Sequence, residues 1–106
     1  MPVSDFVDSI QSGKISVVKN AEKIVKEISS KNSEFHHFNN FDSDYVLAQA
    51  EQIEKRIKAG KGGRLLGVPV SVKDCVCVKG VESRAGSKIL SGYKPVFDAT
   101  VIEKIK

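Results

Sequence analysis

LLGVPVSVKD, residues 65–74, is the stretch on which the fold class turns. Val68, Val70 and Val72 alternate with the two-residue period of an extended strand, and β-branched side chains suit a pleated backbone. Pro69 has no N–H to give to a ladder, so it belongs at the start of such a strand or on an edge. Lys73 and Asp74 then stand at the strand's C-terminal end. Val76 and Val78 form a second short extended run, which Gly80 closes with a turn.

Upstream the period changes to that of helices. Val3, Phe6, Val7 and Ile10 share one helical face, with Ser4 as a candidate cap and Gly13 as the stop. A second helix is expected from Ser16, its N-cap, to about Ser29. Val17, Val18, Ala21, Ile24, Val25 and Ile28 form its apolar stripe. FHHFNNF, residues 35–41, lacks a helical period and is read as a short strand ending near Asn39. A third helix opens at Ser43 or Asp44 and ends at Ala59 before Gly60; its stripe of Val46, Leu47, Ala50, Ile53 and Ile57 is interrupted by Glu54. GKGGR is a loop.

Downstream, residues 83–97 read as irregular, with one short turn at Ser87 to Leu90. A last helix opens near Asp98 or at Thr100, where Thr100 and Glu103 have capping-box spacing. Val101, Ile102 and Ile105 begin its stripe, and Lys106 falls in its second turn. A helix this short is marginal alone, so the chain reads as cut from something longer. The expected organisation is α/β: a helical region over 1–60, then over 61–106 the first strands of a mixed sheet and the start of the next helix. Together these form the N-terminal part of a single domain.

The 106 residues are 41% hydrophobic and 28% charged, with 3 Pro and 8 Gly, a mixture that argues against disorder. Seventeen Lys and Arg against 13 Asp and Glu leave a net charge of +4, spread along the chain. No apolar run approaches the ~20 residues of a membrane span, and the N-terminus has no signal-peptide core. A cytoplasmic location is the default. Cys75 and Cys77 are too close for an unstrained disulfide and lack the partners of a zinc site. They are read as buried thiols. His36 and His37 diverge, being adjacent, and are read as surface or half-buried residues. GKGGR lacks the order of a phosphate-binding P-loop. Lys58, Lys61 and Arg64 have no interleaved aromatic side chains and read as solvated. No metal or cofactor site is expected within the chain.

Lys73 is the candidate for chemistry. At the lip of an interior strand an ammonium would be partly desolvated, which favours the neutral amine that a base requires. The competing reading is an ion pair with Asp74 or another acid.

Residues 65–106 resemble the start of the amidase signature family. Its pattern is a G-[VI]-P-[VI] run, a K-D pair, a K-G turn and a D-A-T-V helix start. Here these are Gly67 to Val70, Lys73 with Asp74, Lys79 with Gly80, and Asp98 to Val101. One departure is Cys75, where the family usually has Asn. The resemblance implies the family's mixed sheet flanked by helices. It also implies a triad of serine, cis-peptide serine and lysine, of which only the lysine falls here, as Lys73, with both serines beyond Lys106. Ser87 is carried as a pocket-lining, substrate-binding candidate.

SRAGSKIL at Ser83 to Leu90, Tyr93 to Pro95 and DATVIEK at Asp98 to Lys104 are most similar to the branch serving tRNA-dependent amidotransferases. That branch implies hydrolysis of glutamine to supply ammonia for Glu-tRNA(Gln) or Asp-tRNA(Asn). Its partners are subunits B and C, with ATP and Mg²⁺ used by the complex outside this chain. Alternatives are a stand-alone amide hydrolase of the same family and, from another class, a small basic RNA-binding module. The isolated chain is expected to be inactive and prone to aggregation.

Overall fold

A computed structural model describes residues 1–106. Its regular elements are helices: α1 (Val3–Gln11), α2 (Val17–Phe35), α3 (Ser43–Lys58) and α4 (Thr100–Ile105), with a 3₁₀ turn at Lys88–Leu90. The chain divides into two compact units, Met1–Phe38 with Asp42–Pro69, and Asn39–Phe41 with Val70–Lys106. No helix is long and apolar enough to cross a membrane.

In the first unit α2 packs on α3. The buried centre is Ile10, Val17, Ala21 and Ala50, with Phe6, Ile15, Val18, Val46, Leu47, Ile53 and Ile57 packed around it. These are the apolar stripes read from the sequence. Glu54, the polar break in the α3 stripe, has a structural task. Its Oε1 accepts the Ser16 hydroxyl at 2.6 Å and the Val18 N–H at 3.1 Å. The Ser16 hydroxyl oxygen in turn accepts the Lys19 N–H at 3.3 Å. The first turn of α2 is thus capped both by its own serine and by a carboxylate from the neighbouring helix. These hydrogen bonds, led by that from Ser16, hold the Glu54 carboxyl below the usual glutamate range.

The end of α2 departs from the expectation. The helix continues six residues past Ser29, to Phe35, and 35–41 is not a strand. His36 closes the helix in the left-handed region at φ 52°, its N–H donating to the Asn32 carbonyl at 2.8 Å. The Asn32 side chain then binds both backbone groups of Phe38: Nδ2 donates to its carbonyl and Oδ1 accepts its N–H, each at 2.9 Å. One amide thereby satisfies what a neighbouring strand would have. The Phe35 and His37 rings stack with centroids 5.5 Å apart, and His36 and His37 are exposed.

The expected strands at 68–72 and 76–78 are absent too, so this chain forms no sheet. A strand needs a second backbone to receive its ladder. The Val68 N–H instead closes a turn onto Leu65, and Val70 and Val72 are exposed. The boundary between the units falls at Pro69–Val70. The capping details also shift. Pro2, not Ser4, precedes α1, and Asp42 caps α3 by accepting the Tyr45 N–H at 3.0 Å. Ala99, not Thr100, is the N-cap of α4, without a side-chain hydrogen bond, so Thr100 and Glu103 form no capping box.

Gly67 sits where the loop after α3 meets the core. Its φ is +75°, and a Cβ there would lie 2.7 Å from Ile10 Cδ1 and 2.9 Å from Val17 Cγ2. Gly67→Ala combines left-handed strain with overpacking and is expected to destabilise by roughly 2–4 kcal/mol, measured by denaturant unfolding. Glu54→Leu would complete the apolar stripe, yet is expected to cost about 1–2 kcal/mol by uncapping α2. Because the folded Glu54 pKa lies below its unfolded value, its stabilisation is complete above that value and is lost as pH falls through the folded one. The advantage of the parent over Glu54→Gln should therefore shrink on acidification; a constant or growing gap would refute the capping account.

Candidate functional site

The second unit has no sheet, and hydrogen bonds between loops hold it together. The Gly80 N–H donates to the Pro95 carbonyl at 3.0 Å, Ser83 to Tyr93 at 3.0 Å, and Ala99 to Cys77 at 2.9 Å. Pro95 is fully buried, with Ile102 and Ser83 also inside. The Asn40 Nδ2 donates to the Glu82 carbonyl at 3.3 Å, which fastens residues 39–41 to this unit.

Aspartates make the remaining ties. Asp98 Oδ1 accepts the Lys79 N–H at 2.7 Å, while its Oδ2 takes the Lys106 ammonium at 2.8 Å. The Lys106 ammonium first, and then the Lys79 amide, hold its carboxyl below the usual range. The K-G turn and the D-A-T-V helix start, 19 residues apart in the chain, are therefore bonded to each other. Asp74 does the equivalent for the K-D pair. Its Oδ1 accepts the Arg84 N–H at 3.0 Å and its Oδ2 the Gly86 N–H at 3.2 Å. Its own carbonyl accepts the hydroxyl of buried Ser83. The Arg84 and Gly86 amides are the main reason the Asp74 carboxyl is held low. Between them Ala85 lies in the left-handed region at φ 47°, followed by Gly86 at φ 72°. A non-glycine residue there costs about 1–2 kcal/mol, and the amides converging on Asp74 offset it.

Lys73 is placed by this arrangement. Its carbonyl accepts the Val76 N–H at 2.9 Å, closing a turn over 73–76. Its side chain is exposed and makes no hydrogen bond or ion pair. The expected desolvated position at the lip of a strand is not found, because there is no strand and nothing in this chain covers residue 73. The competing ion pair with Asp74 is not found either. Both Asp74 oxygens are directed at backbone amides, so Lys73 acts on it only through a weaker long-range attraction.

Ser87 is half-buried and structural in this chain. Its hydroxyl oxygen accepts the Ile89 N–H at 3.3 Å as cap of the 3₁₀ turn, and its own N–H donates to Arg84 at 2.8 Å. Through Arg84 it belongs to the turn that Asp74 grips, so the sequence candidates Lys73 and Ser87 are parts of one bonded loop pair. Cys75 is exposed and Cys77 half-buried, both free thiols, which corrects the expectation of two buried ones. What composition and spacing missed was Asp74 and Ser83. A carboxylate directly after the lysine and a serine within a turn-rich run were the available signals.

Replacing Asp98 with Ala should release the Lys79 amide and the Lys106 side chain. Hydrogen exchange at Lys79 is expected to quicken on the order of tenfold, with fraying of α4, while exchange across α2 stays unchanged.

The family model described as Amidase matches residues 19–106. Among curated relatives, the A-subunit of glutamyl-tRNA(Gln) amidotransferase from Ectopseudomonas mendocina is 32% identical over 106 residues, covering 100% of this chain and 22% of that protein. The protein of the same name from Symbiobacterium thermophilum is 37% identical over 97 residues, covering 90% of this chain and 20% of that one. That of Streptomyces coelicolor is 35% identical over 107 residues, with 100% and 22% covered. The chain thus spans about a fifth of the length of the curated relatives it matches. A solved structure described as a vestigial protein complex that reveals the evolutionary origins of an s-triazine catabolic enzyme superposes with a TM-score of 0.87. It is 25% identical, over 99% of this chain and 23% of that one.

Proposed function

The chain belongs to the amidase family, and on that premise we propose that it is the N-terminal part of the A-subunit of a tRNA-dependent amidotransferase. The relatives that align along nearly its whole length carry that name. In this reading the complete enzyme hydrolyses glutamine and passes the ammonia to a partner that amidates Glu-tRNA(Gln), Asp-tRNA(Asn) or both. Subunits B and C are the partners, ATP and Mg²⁺ are used by one of them, and the assembly works in the cytoplasm.

Lys73 is the base. It accepts, through a bridging serine, the proton of a nucleophilic serine, whose oxygen attacks the glutamine amide carbon. Ammonia leaves, and water releases glutamate from the acyl-enzyme. Both serines lie beyond Lys106. The observation supporting this role is that the Lys73 ammonium has no structural duty within the chain. Its neighbour Asp74, the nearest candidate for an ion pair, is engaged by two backbone amides. A stand-alone amide hydrolase of the same family would use Lys73 identically but need neither tRNA nor ATP. This fold owes its order to helix packing and loop ties, with no basic stripe interleaved by aromatic side chains, so the RNA-module alternative has no feature in its favour.

In the assembled enzyme, Lys73→Met is expected to lower glutamine-dependent ammonia release by about 10²–10⁴-fold, the usual worth of general acid–base catalysis. Undiminished release would remove Lys73 from the mechanism.

A further inference from the structure

The grip of Asp74 on the 83–87 turn does more than close a loop. Lys73 is held by backbone alone: its carbonyl closes the 73–76 turn and its side chain touches no hydrogen-bonding group. The place from which its ammonium projects is therefore set by the next residue. Asp74 is fixed at three points, its two carboxylate oxygens on the Arg84 and Gly86 amides and its carbonyl on the Ser83 hydroxyl. Ser83 is itself buried and bonded to Tyr93, so the anchor reaches the interior of the unit. The turn being gripped holds Ala85 at a strained positive φ, a conformation that persists only where its surroundings impose it.

We propose that Asp74, seconded by Ser83, is a positioning residue for Lys73, fixing the backbone from which the lysine reaches the reacting serines. This rests on the role given to Lys73 above. Long lysine side chains lose geometric precision quickly when their backbone moves, and misplacement of a catalytic group by about 1 Å can cost on the order of 100-fold in rate. Asp74 exerts its effect through the backbone and touches no reacting atom. Its loss should therefore slow the chemical step without weakening glutamine binding.

The test uses the full-length enzyme assembled with its partners, with glutamine-dependent ammonia release measured for the parent, Lys73→Met, Asp74→Asn and Ser83→Ala. An asparagine keeps one acceptor and turns an N–H donor toward an N–H donor. Asp74→Asn is expected to lower kcat about 10–100-fold with KM within twofold of the parent. Ser83→Ala should lower kcat in the same sense by less. Hydrogen exchange at Arg84 and Gly86 should quicken in Asp74→Asn. If Lys73→Met is inactive while Asp74→Asn keeps the parental kcat, or loses it only through a raised KM, positioning is overturned and the role of Lys73 stands. If Lys73→Met is fully active, the role of Lys73 fails and positioning falls with it. Should Asp74→Asn not assemble, Ser83→Ala decides: a reduced kcat at parental KM supports positioning, and a parental kcat overturns it.

Discussion

A carboxylate oxygen accepting backbone N–H groups is the interaction on which both units depend. Glu54 receives the Val18 amide at the start of α2, Asp74 receives those of Arg84 and Gly86, and Asp98 receives that of Lys79. Such bonds are charge-assisted and stronger than neutral ones, and each answers a donor that the local secondary structure leaves unpaired. In a helix the unpaired donors gather at the N-terminus. In a unit without a sheet they are spread over every loop. The same chemistry therefore caps one element in the first unit and substitutes for ladders in the second. All three carboxyls are held below their usual range for this reason, so the structure tightens as they ionise.

This explains which parts of the fold were legible in the sequence. The stripes of α1, α2 and α3 record burial, and burial follows the 3.6-residue period whatever the rest of the chain does. Val68, Val70 and Val72 record a capacity for extended structure, but a strand is a relation between two backbones, and periodicity cannot supply the second. FHHFNNF failed differently. Asn32 satisfies Phe38 from within the preceding helix, and no periodicity registers a single side-chain amide standing in for a neighbour. Glu54 looked like a flaw in an apolar stripe because its partners, Ser16 and Val18, are 38 and 36 residues away in sequence.

The candidate site divides along the same line. Lys73 and Ser87 were reached through motif resemblance, and the structure brings them into one bonded loop pair while leaving their chemistry to experiment. Asp74 was visible only as the second letter of K-D, a possible ion-pair partner for the lysine. Its geometry reverses that reading: two amides occupy the oxygens that would otherwise have held the ammonium. Cys75 is exposed beside it, so the pattern's usual Asn at that position is not needed to keep these ties closed in this chain.

The spacing of the motif residues then acquires a physical cause that is separate from catalysis. Lys79 with Gly80 and Asp98 keep their separation because an amide of one turn must reach a carboxylate at the start of α4; Asp74 keeps its distance from Arg84 and Gly86 because both amides must converge on one side chain. Gly80, Ser83 and Asp98 are likewise spoken for by backbone bonds. Subtracting these duties leaves Lys73 as the motif residue whose side chain the fold does not use. A side chain kept at a fixed place by costly local geometry, including a strained Ala85, yet bonded to nothing, is what a reacting group looks like before its substrate and its remaining partners are in place.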